Sequence, residues 1–169
     1  MKWIYRIVSI LIAPALLLAI FGILSAHNTD RLERLYWDND EEFCELAETL
    51  LRISRRNGNV RDTYITEGNY EDESFVRQIG DLRFYTEYAP YPQVDYTDMH
   101  TASAEFVSSL DIFGIEIRSD WVDFFVSENY LYAFHIIYIA DGEPLDIEAT
   151  WIKEATVLRE GWYALVVYT

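Results

Sequence analysis

The chain has 169 residues, enough for one domain with a tail and too few for two independent cores. Half of the residues are hydrophobic (51%) and 16% are aromatic, which excludes a disordered or low-complexity polypeptide. The formal charge of −16, from 29 Asp and Glu against 13 Lys and Arg, argues against binding to nucleic acid, whose grip comes from neutralising phosphates with basic side chains.

Residues 7–26, IVSILIAPALLLAIFGILSA, carry no charge. At about 1.5 Å per residue, a helix of this length spans about 30 Å, the hydrocarbon thickness of a bilayer. The run from Ile7 to Ala26 is therefore predicted to be a transmembrane helix and an uncleaved signal-anchor, kinked at Pro14. Lys2 and Arg6 precede it, and Trp3 and Tyr5 stand where interfacial aromatics are favoured. The basic flank keeps the N-terminus inside, so the expectation is a single-pass protein of the cytoplasmic (inner) membrane with its C-terminal domain outside. Arg31 and Arg34 on the far side oppose this bias, although Asp30 and Glu33 accompany them. The alternative is a signal peptide whose cleavage releases a periplasmic domain. Its apolar core would be about 7–15 residues long and end in small residues, whereas Leu24-Ser25-Ala26 places a bulky Leu at that site. Beyond residue 26, 11 basic side chains face 29 acidic ones, a net −18.

His27 to Trp37 reads as a connector, with a helical continuation as one form of it, and residues 38–169 as an acidic extracytoplasmic domain. Its single Cys44 forbids an internal disulfide, so the core alone must hold it. Glu41 to Arg56 is predicted to be a helix. Phe43, Leu46, Ala47, Leu50 and Leu51 recur on one face, acids crowd the first turn, Arg52, Arg55 and Arg56 crowd the last, and Gly58 stops it. Glu48 and Arg52 add an i,i+4 pair.

Residues 60–66 and 82–88 read as strands, joined by a loop or short helix ending near Gly80. A second helix is expected from Asp98 to Phe113, with Met99, Ala102, Phe106 and Leu110 on one side and Gly114 as its stop. Ile115–Arg118 and Trp121–Ser127 alternate as half-buried strands do. Tyr130–Ala140 is apolar on both faces, the pattern of a central strand covered on two sides. Asp141-Gly142 marks a turn, Leu145–Lys153 fits strand or helix, and Ala155–Arg159 with Trp162–Tyr168 reads as a hairpin through Glu160-Gly161. The fold class expected is α+β: after the transmembrane helix, a small domain with an antiparallel sheet of about four to six strands and one or two packed helices.

No two glycines stand closer than ten residues, which excludes a P-loop and a dinucleotide fingerprint. There is no Gly-x-Ser-x-Gly elbow, and one Cys with three scattered His (His27, His100, His135) excludes the usual structural zinc spacings. Asp38-x-Asp40-x-Glu42 has the look of a calcium loop, but Phe43 takes the Gly position and Thr49 the final Glu position. No metal, cofactor or catalytic residue is expected, and the chain is not read as an enzyme. Cys44, on a helix face with Phe43, reads as a buried inert thiol. His135 reads as a core histidine satisfied by one hydrogen bond, or as a general base with an acid beside it. His100, near Asp95 and Asp98, reads as a surface residue at a helix start, or as part of a metal or catalytic cluster.

The segment Phe84 to Asp98 interleaves Tyr85, Tyr88, Tyr91 and Tyr96 with Glu87, Asp95 and Asp98 around two prolines. Tyrosines give contact area at low entropic cost, and prolines stiffen a loop before it binds. These seven residues are the expected partner-binding set; the competing reading packs the tyrosines on the domain's own rim. A net −18 favours a cationic protein partner through electrostatic steering. The function expected is a membrane-anchored, acidic protein-binding module: an immunity or inhibitor protein that neutralises a secreted antibacterial toxin acting at the envelope. The alternative is an accessory structural subunit of an envelope complex, with Ala13, Ala15, Ala19 and Gly22 forming a helix–helix face.

Overall fold

The computed structural model describes residues 29–57, 63–68, 74–86, 96–140 and 145–169. The apolar run of residues 7–26 lies outside them, and no helix among the described residues is long and apolar enough to cross a membrane.

The segment read as a connector contributes helix α1 over residues 29–38. Leu32 and Tyr36 lie four residues apart on one side of it, and both are buried in the main core. Asn39 breaks the helix with φ −139° and donates its side-chain amide to the Leu35 carbonyl at 2.8 Å, satisfying one of α1's last acceptors. Helix α2 (Asp40–Arg56) follows at once, with Asp40, Glu41 and Glu42 in its first turn and Arg55 and Arg56 in its last. That order suits the helix dipole. All five residues expected on its apolar face are buried, and Ile53 and Ser54 join them. Arg52 donates to Thr49 Oγ1 at 2.8 Å, three residues back, rather than to the expected Glu48.

Helix α3 runs Tyr96–Leu110, two residues earlier at its start and three shorter at its end than expected. Its stop is not Gly114 but Asp111, which takes a positive φ of 51°. Asp tolerates that conformation better than most side chains. Gly114 instead opens a strand, where the phenol of Tyr64 lies so close over it that no Cβ would fit.

Among the described residues one antiparallel sheet of eight strands carries three helices, more strands than the four to six expected. They are β1 (Thr63–Thr66), β2 (Ser74–Ile79), β3 (Leu82–Thr86), β4 (Gly114–Ile117), β5 (Trp121–Glu128), β6 (Tyr132–Ile139), β7 (Ile152–Arg159) and β8 (Trp162–Tyr168). Their order is β2-β3-β1-β4-β5-β6-β8-β7. The unforeseen strand is β2, an outer one; its exposed Arg77 and Gln78 follow a bulge between Phe75 and Arg77, which spoils the alternation a sequence can show. The other outer strand, β7, slips register twice, between Ile152 and Glu154 and between Val157 and Arg159. β6 takes the interior place its composition implies, between β5 and β8.

The two sheet faces differ. Ile65, Phe84, Ile115, Phe124, Ile136 and Trp162 point to the helices and form the main core with Phe43, Leu50 and Met99. The outer face carries a smaller apolar cluster of Ile137, Ile152, Tyr163 and Leu165, with Leu145 and Ala149 of the β6–β7 connection packed against it.

Two outcomes follow. Tyr36 is fully buried against Trp162, with ring centroids 5.0 Å apart; Tyr36→Ala is expected to cost about 3 kcal/mol in chemical unfolding. A chain starting at residue 29 should likewise melt well above one starting at 38. At the β7–β8 turn, Gly161 has φ +75° and a Cβ there would lie 2.7 Å from the Ile139 carbonyl oxygen. Gly161→Ala should therefore cost about 1–3 kcal/mol, read by the same unfolding measurement.

Candidate functional site

Of the tyrosine- and acid-bearing segment, the structure describes Tyr85, Tyr96 and Asp98 among the expected contact residues. Tyr85 lies in β3 opposite Tyr64 and is only 4% exposed, its hydroxyl donating to the Gly68 carbonyl at 3.4 Å. Tyr96 is also 4% exposed, because α3 begins on it and turns its ring into the core, 5.3 Å from Phe84. Both rings are thus withdrawn from solvent within the chain itself. Asp98 is exposed in the first turn of α3. Glu87, Tyr88, Tyr91 and Asp95 lie outside the described residues.

A groove that the sequence reading missed runs between α2 and α3. It is a cavity of about 390 Å³ whose rim carries Glu42, Glu45 and Glu105 and whose floor includes Leu46 and Phe106. Phe106 packs edge-to-face on Phe43, with centroids 4.9 Å apart, and this contact sets the two helices side by side. Glu42, Glu45 and Glu105 are all exposed. In the sequence, the acids of α2 are explained by that helix's own dipole. Only the packing of α3 reveals that Glu105 joins two of them over an apolar floor.

The outer face of the sheet holds a second polar group. Asp123 of β5 is 7% exposed, and His135 of β6 places Nδ1 2.9 Å from each of its carboxylate oxygens. The imidazole stacks on Phe125, with centroids 4.9 Å apart and planes 7° from parallel. Pairing register sets Glu116 of β4 directly opposite Asp123, and Arg118 Nε donates to Glu116 at 2.7 Å. Burial pulls the His135 pKa down, but the charge and hydrogen bond of Asp123, helped by Glu116, pull it up further, and the net position lies above the ordinary 6.5. Among the described residues Asp123 is the sole hydrogen-bond partner of His135, so the pair pins β5 to β6.

Cys44 sits on α2 with its sulfur 3.8 Å from the Tyr36 hydroxyl and in contact with the Arg159 guanidinium. Burial raises the thiol's pKa, with Tyr36 and Arg159 pulling the other way. It also raises that of the Tyr36 phenol, with Cys44 adding to the effect. Arg159 is further placed 5.7 Å from the Tyr36 ring centroid and 3.8 Å from Asp40 Oδ2, so these side chains form a joint between α1, α2 and β7. His100 lies over the β2–β3 turn, where a Cβ on Gly80 would come within 2.9 Å of its Nε2. Among the described residues no group of three or more His, Cys, Asp or Glu is placed to hold a metal ion.

Comparison of the chain with protein-family models, with curated proteins and with solved structures finds no match.

The His135–Asp123 pair gives a pH signature. Because the folded pKa of His135 is raised, its contribution is complete below about pH 6.5 and is lost as pH rises through the folded value. His135→Asn should therefore destabilise the domain more at mildly acidic pH than at alkaline pH, by an amount on the order of 3 kcal/mol where the pair is charged. Urea unfolding of both proteins across that range checks it, and a difference independent of pH would refute the charged pair.

Proposed function

We propose that this chain is a membrane-anchored acidic module that captures a cationic protein, acting as an immunity or inhibitor protein against a secreted antibacterial toxin at the envelope. The observation that carries this reading is the charge: −16 overall, with every acid lying beyond residue 26. A field of that sign raises the encounter rate with a basic partner and disfavours acidic ones. The groove between α2 and α3 suits such a partner. Its three carboxylates would receive Lys or Arg heads while Leu46 and Phe106 cover their aliphatic stems. Residues 7–26, as a transmembrane helix, would hold the module at the outer side of the cytoplasmic membrane, where an envelope-directed toxin arrives.

The test is in vivo crosslinking of the full chain in its native membrane, followed by association kinetics with the captured protein. A basic partner is expected, with an association rate that falls steeply as salt rises. Glu42→Gln, Glu45→Gln and Glu105→Gln together should slow association about tenfold or more and flatten the salt dependence, with thermal stability nearly unchanged. Neutralising Glu87, Asp95 and Asp98 in parallel shows whether the loop contributes, since the set with the larger rate loss marks the contact surface. Cells lacking the chain should become sensitive to the partner. An acidic partner, or a rate indifferent to salt and to both sets, would defeat the proposal. A stoichiometric envelope-complex subunit as the captured protein would favour the structural alternative.

A further inference from the structure

Large exposed apolar side chains gather at one end of the domain. Tyr130 is 96% exposed and Leu131 43% at the tip between β5 and β6; Trp151 is 50% exposed before β7, and Tyr168 56% at the end of β8. The backbone ties them together. Thr169 N donates to the Leu131 carbonyl at 3.3 Å, Thr169 Oγ1 to the Tyr130 carbonyl at 3.4 Å, and Tyr168 N to the Trp151 carbonyl at 3.1 Å. Asn129 Oδ1 accepts from the amides of Leu131 and Tyr132, at 3.0 and 3.1 Å, and so stiffens the tip. Beside the cluster, Lys153 Nζ sits 3.9 Å from the centroid of the Tyr132 ring.

The described part of helix α1 begins at this same end. Arg31, Leu32 and Leu35 line one cavity of about 270 Å³ with Val126, Asn129 and Phe134, so this stretch of α1 lies against the β5–β6 tip. Four residues after Leu32, Tyr36 reaches Trp162 at the opposite end of β8, so α1 leads away from the exposed cluster. Only His27 and Asn28 separate Ala26 from the first described residue of α1. Three peptide steps cover at most about 11 Å even when fully extended.

We infer that this end of the domain rests in the headgroup layer of a lipid bilayer, with Tyr130, Trp151 and Tyr168 as interfacial contacts and Leu131 beside them. The inference rests on reading residues 7–26 as the membrane-spanning segment. Tyr and Trp favour that layer because one part of each ring system is apolar and the other can hydrogen-bond to water or headgroups. So short a connection leaves the cluster no room to stand clear of the bilayer surface. The acidic rim of Glu42, Glu45 and Glu105 belongs to the α2–α3 groove and is not among these residues, so docking this end leaves the groove free to meet a partner.

The test uses the full chain reconstituted into vesicles of phosphatidylcholine and phosphatidylglycerol, with p-benzoylphenylalanine replacing Tyr130, Tyr168 or, as a control, Val157. Val157 is 57% exposed on outer strand β7 and makes none of the contacts that tie the cluster together. After flotation and irradiation, mass spectrometry should find lipid adducts at positions 130 and 168 in several-fold higher yield than at 157. Chains that float yet give only protein–protein adducts at 130 and 168 would show a second copy covering the patch and overturn the inference while leaving the anchor intact. Floating chains without adducts, or with equal lipid adducts at all three positions, would overturn it too. Chains that fail to float would overturn the anchor reading and the inference together.

Discussion

Phe43 holds the helices to the sheet. Its ring meets Phe106 of α3 and Phe124 of β5 nearly at right angles, at 4.9 and 5.0 Å, so the positive edge of one ring faces the negative face of another. From Phe124 the contact passes to Trp162 of β8, and from Trp162 to Tyr138 of β6 and Tyr36 of α1. One chain of rings thus joins all three helices to three interior strands. The acidic groove depends on it, because Phe106 is both the partner of Phe43 and part of the groove's floor. The Cys44 joint depends on it as well, since Arg159 lies against both Tyr36 and Trp162.

Much of this frame was legible in the residues. The period of Phe43, Leu46, Leu50 and Leu51 and the charge order of α2 are local signals, and the helix lies where they put it, starting one residue earlier. The β7–β8 hairpin was legible because Glu160-Gly161 is a strong turn signal between two strand-like runs. What escaped was set by tertiary contact. β2 is an outer strand with a bulge, so no clean alternation marks it. The contribution of α1 to the core rests on two side chains, Leu32 and Tyr36, in a segment dense with charge. The end of α3 was misplaced because Asp111 supplies the positive φ for which Gly is usually chosen, while Gly114 makes room for Tyr64.

The candidate site was less legible, for a physical reason. A sequence shows that tyrosines and acids alternate, but not which of them the core will take. Tyr85 and Tyr96 are drawn in because β3 pairs with β1 and because α3 starts on Tyr96. The groove is made by two helices from distant parts of the chain, and no spacing rule joins Glu105 to Glu42 and Glu45. The His135–Asp123 pair was half legible. An acid beside His135 was one of the two possibilities its strand suggested, and β5–β6 pairing names it by bringing Asp123 across.

Among the described residues the eight-stranded sheet ends in two outer strands, β2 and β7, and an outer strand is a template on which another chain's strand can add. Here both margins are irregular. β2 slips register once and β7 twice, so an incoming straight strand meets a ladder whose donors and acceptors fall out of step.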